Sequence, residues 1–162
     1  MVKKILLVAA SSIVFAVVGQ QYTNVMQVLN TPLTAESMSL IITSDHSTPD
    51  RLFLSFLKSS AQGDLPAFLS LFTDAYLASE FGVTDKNAFT SEDALDFQQF
   101  LSDSSITNKT LVSYSCTISG NVANVTAKII NLSGGNRLVD EDVEMRLLQT
   151  NDIWKISQWY GE

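Results

Sequence analysis

The chain has 162 residues, of which 46% are hydrophobic and 17% are charged. This length and composition suit one folded domain with a substantial apolar core. The formal net charge of −7 argues against nucleic acid as a partner, because binding phosphates requires a clustered basic surface, and it argues equally against a polybasic membrane anchor.

The first 19 residues have the form of a secretory signal peptide. A short positive region, MVKK, precedes the uncharged run ILLVAASSIVFAVVG, and Val17 and Gly19 are small residues at the positions that a signal peptidase recognises. We predict cleavage after Gly19 and an exported protein, periplasmic or secreted. If the leader is not cleaved, the protein is membrane-anchored. The single cysteine, Cys116, excludes a disulfide within the chain.

Residues 20–48 show no sustained hydrophobic period, and Pro32 interrupts them. We predict a linker or a loosely packed arm here, with a short strand at MSLIIT. The folded domain is expected to span residues 49–162.

Three amphipathic helices are predicted next, over residues 49–62, 64–81 and 91–103. Thr48 is a favourable N-cap for the first, and Gly63 ends it as a C-terminal cap residue. The predicted apolar faces are Phe53, Phe56, Leu57 and Ala61 in the first helix, Leu65, Phe68, Leu69, Phe72 and Tyr76 in the second, and Ala94, Phe97, Phe100 and Leu101 in the third.

From Ile106 the period changes to alternation, which is typical of strands. We predict four antiparallel strands, TLVSYSCTIS, NVANVTAKIINL, RLVDEDVEMRLLQ and DIWKISQWY. Their inward-facing residues are expected to be Val112, Tyr114, Cys116 and Ile118; Ala123, Val125, Ala127 and Ile129; Val139, Val143, Met145 and Leu147; and Trp154, Ile156, Gln158 and Tyr160. The predicted fold class is α+β, with three N-terminal helices packed on a strongly bent four-stranded antiparallel sheet.

The segments PDRLFLSFLKSSAQGD, LPAFLSLF and DIWKISQWY, the last with Trp154 and Ile156, resemble motifs of the nuclear-transport-factor-2-like (NTF2-like) superfamily. This superfamily includes ketosteroid-isomerase-like and SnoaL-like proteins. The resemblance covers about residues 49–161 and implies a cone-shaped α+β domain whose interior often holds a pocket and whose sheet faces often form dimers. The chain departs from the family at FGVTDKNAFT, where a strand is often found.

Few residues suit catalysis or metal binding. The only histidine, His46, falls in the predicted arm and is interpreted as a solvated loop residue, while Cys116 is interpreted as an inert core residue. The acidic residues Asp140, Asp142 and Glu144 alternate on one outward face, which differs from a loop that wraps around calcium. We predict no catalytic residue, no metal and no cofactor.

Polar residues on apolar faces indicate a pocket. Glu141 lies between Val139 and Val143, and Gln158 lies between Ile156 and Tyr160. With Tyr76 and Tyr114, these two residues are candidates to line a cavity for a small hydrophobic ligand. The alternative is that they turn outward at a rim or a bulge.

Trp159 is predicted to face outward, where an exposed indole suits a homodimer through the sheet face. We expect an exported, non-catalytic binding or interaction module. One alternative is an enzyme of the isomerase or cyclase type, with Glu141 as the base beside Tyr114. The other is a membrane-tethered periplasmic scaffold, which requires an uncleaved leader.

Overall fold

The computed structural model describes residues 21–42, 45–86, 95–96, 99, 109–133 and 136–161, and the side chains of 131–133, 136–140 and 161 are not described. The predicted signal peptide lies outside the described residues, as does most of the predicted helix 91–103. Within that helix, Leu95, Asp96 and Gln99 are helical.

One sheet contains the described strands, in the order β1-β2-β3-β4-β5, with every neighbouring pair antiparallel. The strands are β1 Pro32–Leu33, β2 Lys109–Ser119, β3 Val122–Ser133, β4 Asn136–Thr150 and β5 Ile153–Gly161. The helices are α1 Ala35–Ser39, α2 Pro49–Gln62, α3 Leu65–Ser70 and α4 Asp74–Phe81, and a 3-10 turn covers Val25–Gln27. The α+β class with a curled antiparallel sheet is confirmed, whereas the predicted numbers of strands and helices were too low.

The fifth strand and the extra helix come from residues 21–42, the segment predicted to be a loose arm. β1 pairs with Lys109 and Thr110 of β2, and α1 begins at the N-cap Thr34, whose side chain accepts a hydrogen bond from the Ser37 N–H. Five apolar side chains of this segment are at most 2% exposed: Val25, Val28, Leu33, Met38 and Ile41. The segment is therefore part of the core. The predicted MSLIIT strand is reduced to a single bridge between Tyr22 and Ile41.

Helix α2 forms as its caps predict. Thr48 accepts a hydrogen bond from the Arg51 N–H, and Gly63 ends the helix in the left-handed conformation at φ 62°. The helix buries Leu52 and Leu54 in addition to the predicted stripe, because it lies between the N-terminal segment and the rest of the core.

The predicted helix 64–81 is two helices, α3 and α4, separated at Leu71–Thr73. At this point Phe72 forms a bridge with Ile156, and the Thr73 N–H donates to the Ile156 carbonyl at 2.9 Å. The Thr73 hydroxyl then accepts from the Tyr76 N–H and begins α4. Bonds to β5 and a new cap therefore replace the helical bonds that one continuous helix would make.

A bulge in β5 reverses its alternation. Arg146 pairs with Gln158 but Leu147 pairs with Ile156, which leaves Ser157 as the extra residue. Trp154 and Ile156 are buried as predicted. Beyond the bulge, Trp159 joins the core, and Tyr160 is 60% exposed. The predicted sides of Trp159, Gln158 and Tyr160 were therefore wrong.

The inward faces of β3 and β4 match the prediction wherever their side chains are described, with Ala123, Val125, Ala127 and Ile129 buried against Val143, Met145 and Leu147. Ile118, predicted to face inward, is 56% exposed near the end of β2. No helix among the described residues is both long and apolar enough to cross a membrane.

Candidate functional site

Aromatic rings pack the space between the helices and the sheet. Ring centroids lie 5.1 Å apart for Phe53 and Tyr114, 5.3 Å for Phe56 and Trp159, and 5.1 Å for Phe68 and Phe72. The described aromatic residues thus occupy space in which an interior ligand pocket was predicted.

Glu141 forms an ion pair with Lys109. The Lys109 Nζ lies 2.5 Å from the Glu141 Oε1, and the side chains are 5% and 31% exposed, respectively. The sequence analysis missed Lys109, although it alternates with Leu111 and so faces the same side of β2. The carboxylate considered as a catalytic base is thus held by a buried ammonium group.

Tyr114 has a different partner from the one the isomerase hypothesis requires. Its hydroxyl donates to the Asp50 carboxylate at 2.8 Å, and burial together with this bond raises the pKa of Tyr114. Burial also raises the pKa of the neighbouring Cys116 thiol. Both groups therefore keep their protons near neutral pH, and the structure gives Glu141 and Tyr114 separate partners.

Tyr76 uses its hydroxyl on the backbone of the last strand. The hydroxyl donates to the Trp159 carbonyl at 2.9 Å and accepts from the Trp159 N–H at 3.2 Å. Burial raises the pKa of this phenol. These two hydrogen bonds hold the Tyr76 oxygen against the β5 backbone, while the Tyr76 ring remains available as an apolar surface.

A groove of about 590 Å³ lies between α4 and β5. Tyr76, Leu148, Trp159 and Tyr160 supply its apolar surface. Its polar residues are Thr73, Ser79, Glu80, Ser157 and Gln158. Two of the four predicted pocket residues, Tyr76 and Gln158, meet here, whereas Tyr114 and Glu141 do not line the groove. Trp159 lines this groove and does not lie on the open sheet face where it was predicted.

The outer face of the sheet carries a second groove of about 530 Å³. Gln158 and Tyr160 line both grooves, since β5 is the strand between them. Arg146 is the cross-strand neighbour of Gln158, so Gln158 faces outward rather than into the cone.

His46 is partly buried and is not the fully solvated loop residue that was expected. Its carbonyl accepts a hydrogen bond from the Trp154 N–H at 2.9 Å, and its ring lines a small cavity beside Lys58 and Asp64. Burial, with a smaller contribution from the charge of Lys155, lowers the pKa of His46. The described residues contain no group of three or more His, Cys, Asp or Glu placed to hold a metal ion.

No protein-family model matches the sequence, and no curated protein matches it. Several solved structures are similar to the chain. A SEC-C-motif-containing protein from Rhodopseudomonas palustris is 11% identical, with a TM-score of 0.49 and coverage of 73% of this chain and 81% of that one. An NTF2-like protein from Streptomyces avermitilis, described as a proposed dehydratase, is 16% identical, with a TM-score of 0.43 and coverage of 68% and 89%.

The hub domain of S. rosetta CaMKII is also similar, at 18% identity and a TM-score of 0.43, with coverage of 68% of this chain and 90% of the hub. The observed arrangement, helices against a curled antiparallel sheet, is the α+β architecture that the resemblance of the sequence motifs implied.

Proposed function

We propose that this protein is an exported, non-catalytic binding module whose small, largely apolar ligand occupies the groove between α4 and β5. The observation that carries the proposal is the lining of that groove. Three aromatic rings and a leucine supply the apolar side of a groove whose volume is about 590 Å³. Pockets that bind small molecules are typically apolar concavities with a few polar groups.

The polar groups of the groove suit orientation of a ligand more than reaction with it. Gln158 and Ser157 offer an amide and a hydroxyl, and Glu80 adds one carboxylate at the rim. A ligand with an apolar body and one or two hydrogen-bonding groups matches this lining.

The described residues favour binding over catalysis. An isomerase-type reaction needs a carboxylate base and a phenol directed at the same substrate. Here Glu141 is paired with Lys109, Tyr114 with Asp50, and the Tyr76 hydroxyl with the Trp159 backbone. Each group is engaged in holding the fold together.

Export is part of the proposal and rests on the sequence of the first 19 residues. The intact mass of the protein from its own host separates a cleaved leader from the membrane-tethered scaffold. Trp159 was the residue expected to form the homodimer contact on the sheet face. Its indole instead packs against Phe56 and Phe68, so it does not support that contact.

Native mass spectrometry of the protein purified from the exported fraction of its host tests the binding proposal. We expect a bound small molecule in the wild type. Ser79→Trp should remove it, because Ser79 lines the groove and an indole there fills the space. The matched control is Ala78→Trp, at an exposed α4 position that does not line the groove.

Anilinonaphthalene sulfonate, a small apolar fluorescent probe, gives a second readout if the natural ligand is lost during purification. Its fluorescence should rise with the wild type and with Ala78→Trp, but not with Ser79→Trp. Equal binding by all three proteins, or by none, would show that the groove is not a binding site.

A further inference from the structure

The two edges of the sheet differ in how their backbone groups are satisfied. Along the outer edge of β5, the Trp154 N–H donates to the His46 carbonyl, and the Ile156 N–H donates to the Leu71 carbonyl at 2.7 Å. The Ile156 carbonyl accepts a hydrogen bond from the Thr73 N–H. The Tyr76 hydroxyl forms hydrogen bonds with both the N–H and the carbonyl of Trp159. This edge is closed to further strands.

Among the described residues, those that cover the β2 edge lie at its start. β1 pairs with Lys109 and Thr110, and the Asn30 N–H donates to the Leu111 carbonyl at 2.7 Å. Within the described part of the chain, residues 112–119 pair with a strand on the β3 side alone. Five side chains of this stretch are exposed: Ser113, Ser115, Thr117, Ile118 and Ser119.

The hairpin at Gly120-Asn121 determines which backbone groups point to the free edge. In a two-residue hairpin the flanking residues, here Ser119 and Val122, bond to each other, and bonded positions then alternate along the strand. Ser113, Ser115 and Thr117 therefore direct their N–H and C=O groups toward β3. Tyr114, Cys116 and Ile118 direct theirs outward.

Two features that commonly block an edge strand, charged side chains and proline, are missing from this stretch. Residues 110–119 contain no charged residue and no proline, and the irregularity near Val112 lies at the start of the stretch. Natural proteins usually protect an exposed edge with lysine, proline, bulges or a covering segment. An edge of this length without charge or proline is a template for pairing with another strand.

We propose that the edge of β2 from Val112 to Ser119 pairs antiparallel with the same edge of a second copy of this chain, about a two-fold axis. A two-fold contact requires one surface that is complementary to itself, and an antiparallel strand edge meets this condition. The product is one continuous sheet across both copies.

No charged residue of this edge opposes a second copy. Two chains of net charge −7 repel each other in general, but residues 110–119 are uncharged, so the pairing sets no like charges directly opposite. The hydroxyl side chains of Ser113, Ser115 and Thr117 form favourable cross-strand pairs, and the contact covers the exposed Ile118. The α4–β5 groove lies at the opposite edge and stays open.

Sedimentation velocity over a concentration series tests the proposal on the exported protein. We expect a dimer for the wild type and a monomer for Ile118→Pro, since proline removes an N–H that the hairpin register directs toward the edge. Ile118→Lys, which keeps the N–H but adds a charge, should weaken dimerisation by at least about tenfold. Ile118→Lys decides the question if Ile118→Pro does not fold.

Thr126→Lys is the matched control, because it adds the same charge to the exposed face of β3, away from the edge. It should remain dimeric. A monomeric wild type overturns the proposal. So does a dimer that persists in both Ile118 variants, or one that is lost in Thr126→Lys, which would locate the contact on the sheet face.

Discussion

The indole of Trp159 contacts three phenylalanine rings, with centroid distances of 5.3 Å to Phe56, 6.0 Å to Phe68 and 6.1 Å to Phe72. Its neighbour Tyr160 is 60% exposed. The difference between these adjacent residues follows from the single extra residue, Ser157, that the bulge inserts before them. Strict alternation assigns the opposite side to each.

We predict that Trp159→Ala lowers the free energy of unfolding by about 3–5 kcal/mol, since it removes a large side chain from a packed aromatic cluster. Tyr160→Ala should change it by less than about 0.5 kcal/mol, because that ring is mostly in solvent. Urea unfolding of the two variants measures both values. Similar losses for the two would contradict the position of the bulge.

The lowered pKa of His46 makes stability depend on pH. Burial and Lys155 disfavour the protonated imidazole in the folded protein. The unfolded chain therefore binds a proton more readily, and the stability contributed by neutral His46 is present above its unfolded pKa of about 6.5. It is lost as the pH falls through that value toward the lower, folded pKa.

We therefore predict that the wild type loses more thermal stability between pH 7.5 and pH 5.5 than His46→Gln does, the two pH values being about one unit on either side of the unfolded pKa. Differential scanning calorimetry at both pH values makes the comparison. The same pH dependence in both proteins would assign the effect to other groups.

At the scale of elements, the interruption between α3 and α4 lies at the boundary between the packed core and the groove. Phe72 is buried and stacks with Tyr76 at 5.8 Å, while Tyr76 and Thr73 line the groove. A continuous helix would leave the Ile156 carbonyl without the Thr73 N–H. The break thus closes the β5 edge and begins α4 where its residues reach the groove.

We predict that Thr73→Ala destabilises the protein by about 1 kcal/mol, the usual effect of losing an N-cap side chain. Thr73→Ser should retain most of the stability, because serine supplies the same hydroxyl. Chemical denaturation of both variants tests this. A loss in Thr73→Ser equal to that in Thr73→Ala would indicate that packing of the methyl group, and not the cap, matters.

At the scale of the whole molecule, residues 21–42 hold the fold together from one side. Lys58 of α2 donates from its Nζ to the Ile41 carbonyl at 2.7 Å, and β1 extends the sheet at Lys109. Five nearly fully buried apolar side chains come from this segment. Each contributes roughly 1.5–3 kcal/mol when buried, and a typical domain has only about 5–15 kcal/mol of net stability.

We predict that a chain beginning at residue 45 does not fold cooperatively, whereas a chain beginning at residue 20 does. Near-ultraviolet circular dichroism and thermal melting distinguish them, since a fixed aromatic core gives a near-ultraviolet signal and a sharp transition. A sharp transition in the shorter chain would show that residues 20–44 are not needed for folding, as expected if the predicted linker or loosely packed arm over residues 20–48 is correct.

Local patterns predicted much of this architecture. The Thr48 cap, the Gly63 stop and the alternation of β3 and β4 depend on neighbours within a few residues, and all three appear in the structure. The candidate site was harder to predict from the sequence. The hydroxyl partner of Tyr76 is the backbone of Trp159, 83 residues away in sequence, and no local pattern specifies such a pair.

The sequence by itself determined the α+β class, the position of the four long strands after the helices and the acidic character of the chain, because composition and short-range periodicity are sufficient for these. Only the tertiary structure decided where the last strand bulges, where the second predicted helix breaks, and which polar group meets Glu141, Tyr114 and Tyr76. The physical reason is that backbone bonds to β5, side-chain hydrogen bonds and the Lys109–Glu141 ion pair form between segments far apart in the chain, and they override the local preference of each segment.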